Sequence, residues 1–226
     1  MENDQVSSVA KSQVAAIVLA AGQSRRMGAF KPLLPFGKHT VIESCVNYLQ
    51  EGGADPVVVV VGHRGNEIRR RLCSHSISFA VNPNPSSEMN ASIAAGVRHL
   101  PEECGAALIA LADYPAVPAT VVSTLINEWG RGYRLVKPTW QGQGGHPILV
   151  DLSLQNELEN LDPDRGLKAI FEKYASEVRR VEVGSPYVAR DIDTWDDYVV
   201  LHSEIFGEGP SEPDANYSNE NCQGLI

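Results

Sequence analysis

A chain of 226 residues, 43% of them hydrophobic, can bury a sizeable core and fits one large α/β domain better than two small ones. Its formal net charge of −9 argues against nucleic acid or an anionic membrane as the main partner. The polar N-terminus lacks a signal peptide's apolar core, and no run approaches the roughly 20 apolar residues of a membrane span. Cys45, Cys73, Cys104 and Cys222 form no C-x-x-C pair, so a zinc or iron–sulfur centre is not expected and a cytoplasmic location is.

Residues 1–12 read as a flexible N-terminus, and the folded domain as 13–206. A β-branched run at 14–19 predicts the first strand. Val41, Ile42, Cys45, Val46 and Leu49 then recur at helical spacing, opened by a Thr40-x-x-Glu43 capping box and closed by Gly52-Gly53. Further strands are predicted at 57–61, 77–81, 106–111, 135–137, 148–150 and 178–183. Helices are predicted at 65–72, 90–100, 118–129, 152–158, 167–174 and 195–206, the last opened by Thr194 and Asp197. Strands separated by helices imply βαβ crossovers and a three-layer, Rossmann-like α/β fold with a mostly parallel sheet. From Gly207 to the end the chain has no Lys or Arg and is rich in Gly, Pro, Ser, Asn and acids, the pattern of a disordered acidic tail.

The densest chemistry lies at residues 17–31, where an apolar strand runs into Ala20-Ala21-Gly22, two arginines, Gly28 and Lys31. Small residues let backbone amides approach a ligand, and the cations neutralise negative charge, which suits a polyphosphate. The spacing is not G-x-G-x-x-G, because Ala20 stands where the first glycine would be. It is not a Walker loop either, because Gly22 and Gly28 enclose five residues and Lys31 precedes Pro32.

Two acidic segments could hold a metal. The buried-strand pattern Ala106–Ala112 stops at Asp113-Tyr114-Pro115, and a carboxylate at the mouth of a parallel strand faces the ligand crevice. By itself Asp113 could equally cap a turn, but beside the cationic loop a divalent-cation ligand is the stronger reading. In Asp191-Ile192-Asp193 the alternation puts both carboxylates on one side, although Asp193 could also serve only the dipole of the helix that follows.

The segment Leu19-Ala20-Ala21-Gly22-Gln23-Ser24-Arg25-Arg26-Met27-Gly28-Ala29-Phe30-Lys31 resembles the opening signature L-A-A-G-x-S-x-R-M-G-x-x-K of the molybdenum cofactor cytidylyltransferases and related MobA-like nucleotidyltransferases. The likeness runs over roughly residues 14–206. Asp191–Tyr198 resembles the family's D-I-D-T-P-E-D-Y element, with Trp195 in place of proline; this implies Asp193 as second Mg²⁺ ligand beside Asp113, with Asp191 in reserve. The resemblance further implies Mg²⁺-dependent transfer of CMP from CTP to the phosphate of a molybdopterin-type acceptor, with pyrophosphate released and a molybdenum hydroxylase as client. Leu19, Ala20, Ala21, Gly22, Arg25 and Lys31 would bind the nucleotide, and Arg25, Lys31 and Asp113 would be catalytic. Ser92, in a segment similar to the family's N-P-…-G-M-…-S-S-L-…-G, would contact the nucleotide or else enter a helix. His146, in Gly144-Gly145-His146-Pro147, resembles the G-H-P element, and Asp164-Arg165-Gly166-Leu167-Lys168 is similar to G-D-R-G-A-R. His146, Arg165 and Lys168 would then hold the acceptor, against plain structural and helix-start roles. Other readings keep the fold and change the chemistry: GTP or a phosphosugar as substrate, an oxidoreductase, or a non-catalytic carrier of molybdenum cofactor.

Overall fold

The computed structural model describes residues 12–24, 26–82, 84 and 89–210. The N-terminal and tail assignments for 1–11 and 211–226 fall outside the described residues, as does Arg25. Seven strands form the backbone of one sheet: β1 (Gln13–Ala20), β4 (Val57–Val61), β5 (Ser78–Val81), β6 (Cys104–Leu111), β7 (Leu135–Trp140), β9 (Ile148–Asp151) and β10 (Val178–Glu182). Their order across the sheet is β10-β7-β9-β6-β1-β4-β5, with the short β8 (Gln143–Gly144) paired to β7. A small hairpin, β2 (Pro35–Phe36) and β3 (His39–Thr40), stands apart from it.

Within the main sheet all pairings are parallel except those of β9 with β6 and β7, and of β8 with β7. The chain steps outward from β1 through β4 to β5, then returns to add β6 on the other side of β1. The strand order therefore reverses between β1 and β6, and a crevice opens beyond their carboxyl ends.

Side-chain alternation along β1 divides the core. Val14, Ala16, Val18 and Ala20 face one layer with α1 (Val41–Glu51), α2 (Gly65–Arg71) and α4 (Ala119–Gly130). Ile17 and Leu19 face the other, with α3 (Met89–Val97), α5 (Gln155–Glu159) and α6 (Leu167–Lys173). Five consecutive buried valines make β4, as expected for a parallel strand covered on both faces. A third cluster joins Met27, Leu34, Phe36 and Val41 to Ile192, Tyr198 and Leu201, tying the segment after β1 to α7 (Trp195–Phe206). Tyr198 completes this tie by donating its hydroxyl to the Pro35 carbonyl at 2.5 Å.

The predicted strands and helices are all present, with boundaries moved by a few residues. The segment expected as one helix at 152–158 divides into a 3-10 turn at Leu152–Leu154 and α5. Among the described residues no helix is long and apolar enough to cross a membrane.

Candidate active site

The crevice is lined from three distant parts of the chain. Beyond β1 the backbone runs through Ala21-Gly22 and bends at Ser24, whose φ of +50° is tolerated by a small polar residue. The Ser24 hydroxyl accepts the Lys31 amide at 3.2 Å, closing the loop on itself. Gly62, at the end of β4, lies so near that a Cβ there would stand 2.8 Å from the Ala21 carbonyl oxygen. Gly22 is exposed with open space around its Cα, so its backbone is accessible to a ligand.

Beyond β6, the Asp113 carbonyl accepts the Ile192 amide at 3.0 Å. Buried Ile192 anchors the strand-like segment, and Asp191 and Asp193 flank it on the side of Asp113. One carboxylate oxygen from each of Asp113, Asp191 and Asp193 lies within 4.8 Å of the others. Lys31, only 9% exposed, sends its ammonium into this group, 2.9 Å from Asp193 and 3.6 Å from Asp113. Arg26 reaches the other oxygen of Asp193 at 2.6 Å.

Burial pushes the Asp113 carboxyl above the usual carboxylate range, with Asp191 and Asp193 adding to that shift and Lys31 opposing it. The hydrogen bond from Lys31 holds Asp193 below that range. Burial and the same acids push the Tyr114 hydroxyl upward. The two carboxyls are thus pushed apart by their surroundings, Asp113 by burial and Asp193 by its lysine partner.

The remaining sequence-predicted residues are distributed around this centre. Ser92 is buried, and its hydroxyl accepts Asn82 Nδ2 at 2.9 Å, so in this state it is held by the core at the start of α3. His146 lies against the Tyr114 ring, with centroids 5.3 Å apart, and its Nδ1 is buried with no hydrogen-bond partner among the described residues. Burial pushes its imidazole down to about 4, so it is neutral at physiological pH. Gly145 is required beside it, because a Cβ would fall 2.2 Å from the Val188 carbonyl oxygen. Arg165 and Lys168 both pair with Glu172 of α6 and do not touch the carboxylate group. The reading from sequence passed over Arg26 as a partner of Asp193; its place in the R-R-M-G run was the available signal, but two adjacent arginines cannot be ranked without a backbone.

A family model described as the MobA-like NTP transferase domain matches residues 16–178. The molybdenum cofactor cytidylyltransferase of Escherichia coli K12 is 28% identical over 195 residues, covering 83% of this chain and 95% of its own. The nicotine blue oxidoreductase of Paenarthrobacter nicotinovorans is 26% identical over 192 residues, covering 80% and 92%. Among solved structures, the Mycobacterium sp. strain JC1 homologue of the Mycobacterium tuberculosis protein Rv0371c superposes with a TM-score of 0.76 at 27% identity, over 86% of this chain and 97% of that one. The family match ends before Asp191 and Asp193, which the fold then carries back to Asp113. With this fold and this match over most of its length, the chain belongs to the MobA-like NTP transferase family of nucleotidyltransferases.

Proposed function

We propose that the protein transfers CMP from CTP to the phosphate of a molybdopterin-type acceptor, releasing pyrophosphate, with Mg²⁺ as the divalent cation and a molybdenum hydroxylase as eventual client. The observation that carries this reading is the meeting of Lys31 with Asp113, Asp191 and Asp193 at the sheet's switch point. Three carboxylates within a few ångströms offer an all-oxygen donor set of the kind a hard divalent cation takes. Such a cation, when bound, would offset phosphate charge and polarise the α-phosphate.

The chain's own residues supply the rest. The open backbone at Ala21 and Gly22 would approach the triphosphate, with Leu19 and Ala20 setting the strand end from which it departs. Lys31 would exchange its carboxylate contacts for phosphate oxygens, and Arg25 and Arg26 would hold the leaving pyrophosphate. The acceptor's phosphate is already anionic at neutral pH, so its oxygen attacks the α-phosphorus without a general base. The bond from that phosphorus to the bridging oxygen breaks, and pyrophosphate leaves with the electron pair. Catalysis is then alignment and charge stabilisation. Ser92 would contact the nucleotide from α3, and His146, Arg165 and Lys168 would hold the acceptor. The choice of CTP rests on the cytidylyltransferase relative and on the Leu19-Ala20-Ala21-Gly22 run.

Incubation with radiolabelled CTP, Mg²⁺ and molybdopterin should give labelled product and pyrophosphate in equal amounts. Asp113→Ala should abolish pyrophosphate release while metal-free CTP binding survives; undiminished turnover would refute the assignment. The oxidoreductase relative favours a second reading, redox chemistry on the same fold. Against it, the loop after β1 lacks the dinucleotide spacing. Oxidation of NADPH by the purified protein, with no CTP-dependent pyrophosphate, would reverse the order of the two.

A further inference from the structure

We propose that Lys137, with Arg180 beside it, forms an anion-binding subsite that reads a second anionic group on the acceptor, apart from the phosphate that reacts. The acceptor's part in this rests on the transferase reading above; the charge argument stands on the fold alone.

Strand register fixes the pair's place in the sheet, and His146, the residue proposed to hold the acceptor, lies close to it. Ile148 of β9 pairs with Ile109 of β6, and the neighbouring Leu149 pairs with Val136 of β7, so Lys137 stands level with Ile109 across the sheet. Lys137 in turn pairs with Arg180 of β10. Ile109 and Ile148 face the layer of α3, α5 and α6, and the Lys137 ammonium lies 6.0 Å from the centre of the Phe171 ring on α6. Its stem runs over Gly144 toward the carboxyl end of β7: a Cβ on that glycine would stand 2.2 Å from Lys137 Cε and 2.5 Å from Nζ. His146 is close enough for the Lys137 charge to add to burial in lowering its imidazole. Two strand spacings, about 10 Å, separate β7 from β6, too far for Lys137 to share the phosphate held at Asp113.

The charges around this point are otherwise satisfied. Arg165 and Lys168 pair with Glu172, Arg179 with Glu128, and Arg134 with Glu177. Glu182 lies on the same face as Lys137 and Arg180, but its carboxylate accepts the Thr139 hydroxyl at 2.7 Å and the Gln141 amide at 2.6 Å. Lys137 and Arg180 make no ion pair or hydrogen bond among the described residues. A partly buried ammonium without a counter-charge is costly unless a ligand supplies one. Lys137 is such a group, and exposed Arg180 beside it adds a second positive charge; in a chain of net charge −9 the pair favours an anion from outside.

Inorganic phosphate titrated into the nucleotide-free protein, followed by the His146 imidazole NMR signal, tests the subsite directly. A saturable shift is expected, with affinity lost about tenfold in Lys137→Met and largely kept in Lys137→Arg. With molybdopterin and CTP, Lys137→Met should raise the acceptor KM about tenfold and leave the CTP KM within about twofold, which also reports an intact fold. No saturable shift, or equal binding by wild type and Lys137→Met, overturns the subsite. A phosphate-binding protein whose Met variant loses that binding, but which releases no pyrophosphate from CTP, would sink the transferase reading and leave the subsite standing.

Discussion

At the scale of single residues, the site is a set of opposed charges in one small volume. The Asp113 carboxyl is raised by burial, so protonation of this group is favoured by folding. The stability it contributes is present below the unfolded carboxyl pKa of about 4 and is lost as pH rises through its higher folded value. Asp113→Asn removes that loss. The variant should unfold at higher denaturant than wild type at pH 7.5 without metal, the gap closing as pH falls below about 4. The same variant should lose activity by roughly 100-fold or more, because the buried carboxyl is the one the proposed reaction would use. Asp193 behaves in the opposite sense: its pair with Lys31 stabilises above the unfolded pKa, and that contribution is lost as pH falls through its depressed folded value. Denaturant titrations at a series of pH values, compared between wild type and Asp113→Asn, check both signs.

At the scale of elements, helix ends and close approaches hold the side chains of the candidate site. The capping box of α7 is reciprocal: Thr194 Oγ1 accepts the Asp197 amide at 3.2 Å, and Asp197 accepts the Thr194 amide at 2.7 Å. Asp197 also accepts the Asp193 amide at 3.3 Å, so the cap orients a proposed metal ligand. Thr194→Ala should cost about 1 kcal/mol of stability. It should also raise the Mg²⁺ concentration needed for half-maximal activity, measured by metal titration at saturating CTP. Gly96 is a glycine for packing reasons. A Cβ there would stand 2.4 Å from Ile17 Cγ2 and 3.1 Å from Val60 Cγ2, where α3 packs on β1 and β4. Gly96→Ala should destabilise by about 1–3 kcal/mol, while CTP affinity of the folded fraction stays unchanged by calorimetry.

At the scale of the whole molecule, segments far apart in sequence meet in one candidate site, so a ligand bound there should resist global unfolding. Mg²⁺ and CTP at a hundredfold over their dissociation constant should stabilise by about 2.7 kcal/mol. For a domain of this size that corresponds to a rise in Tm of about 5–10 °C, read by scanning calorimetry. Asp113→Ala should erase the Mg²⁺-dependent part of that rise. The antiparallel strand β9, between β6 and β7, is also a whole-molecule feature. It sets β7 two strands from β6 while keeping their directions alike, and so spaces Lys137 away from Asp113.

The strands at 14–19 and 57–61 and helix α7 were legible because their burial is written as local periodicity and bounded by local caps. The cationic loop after β1 was legible because glycines and cations within a dozen residues need no fold to be recognised as phosphate chemistry. What lay beyond sequence was set by contacts across many residues. Arg26 meets Asp193, and Asp191 joins Asp113 and Asp193 in one carboxylate group. The β2–β3 hairpin, the direction of β9 and the lack of a counter-charge at Lys137 were likewise decided only in three dimensions. Local pattern determines which segments bury and which turn, but which charges meet depends on strand order, and strand order is settled only when the two core layers pack against the sheet.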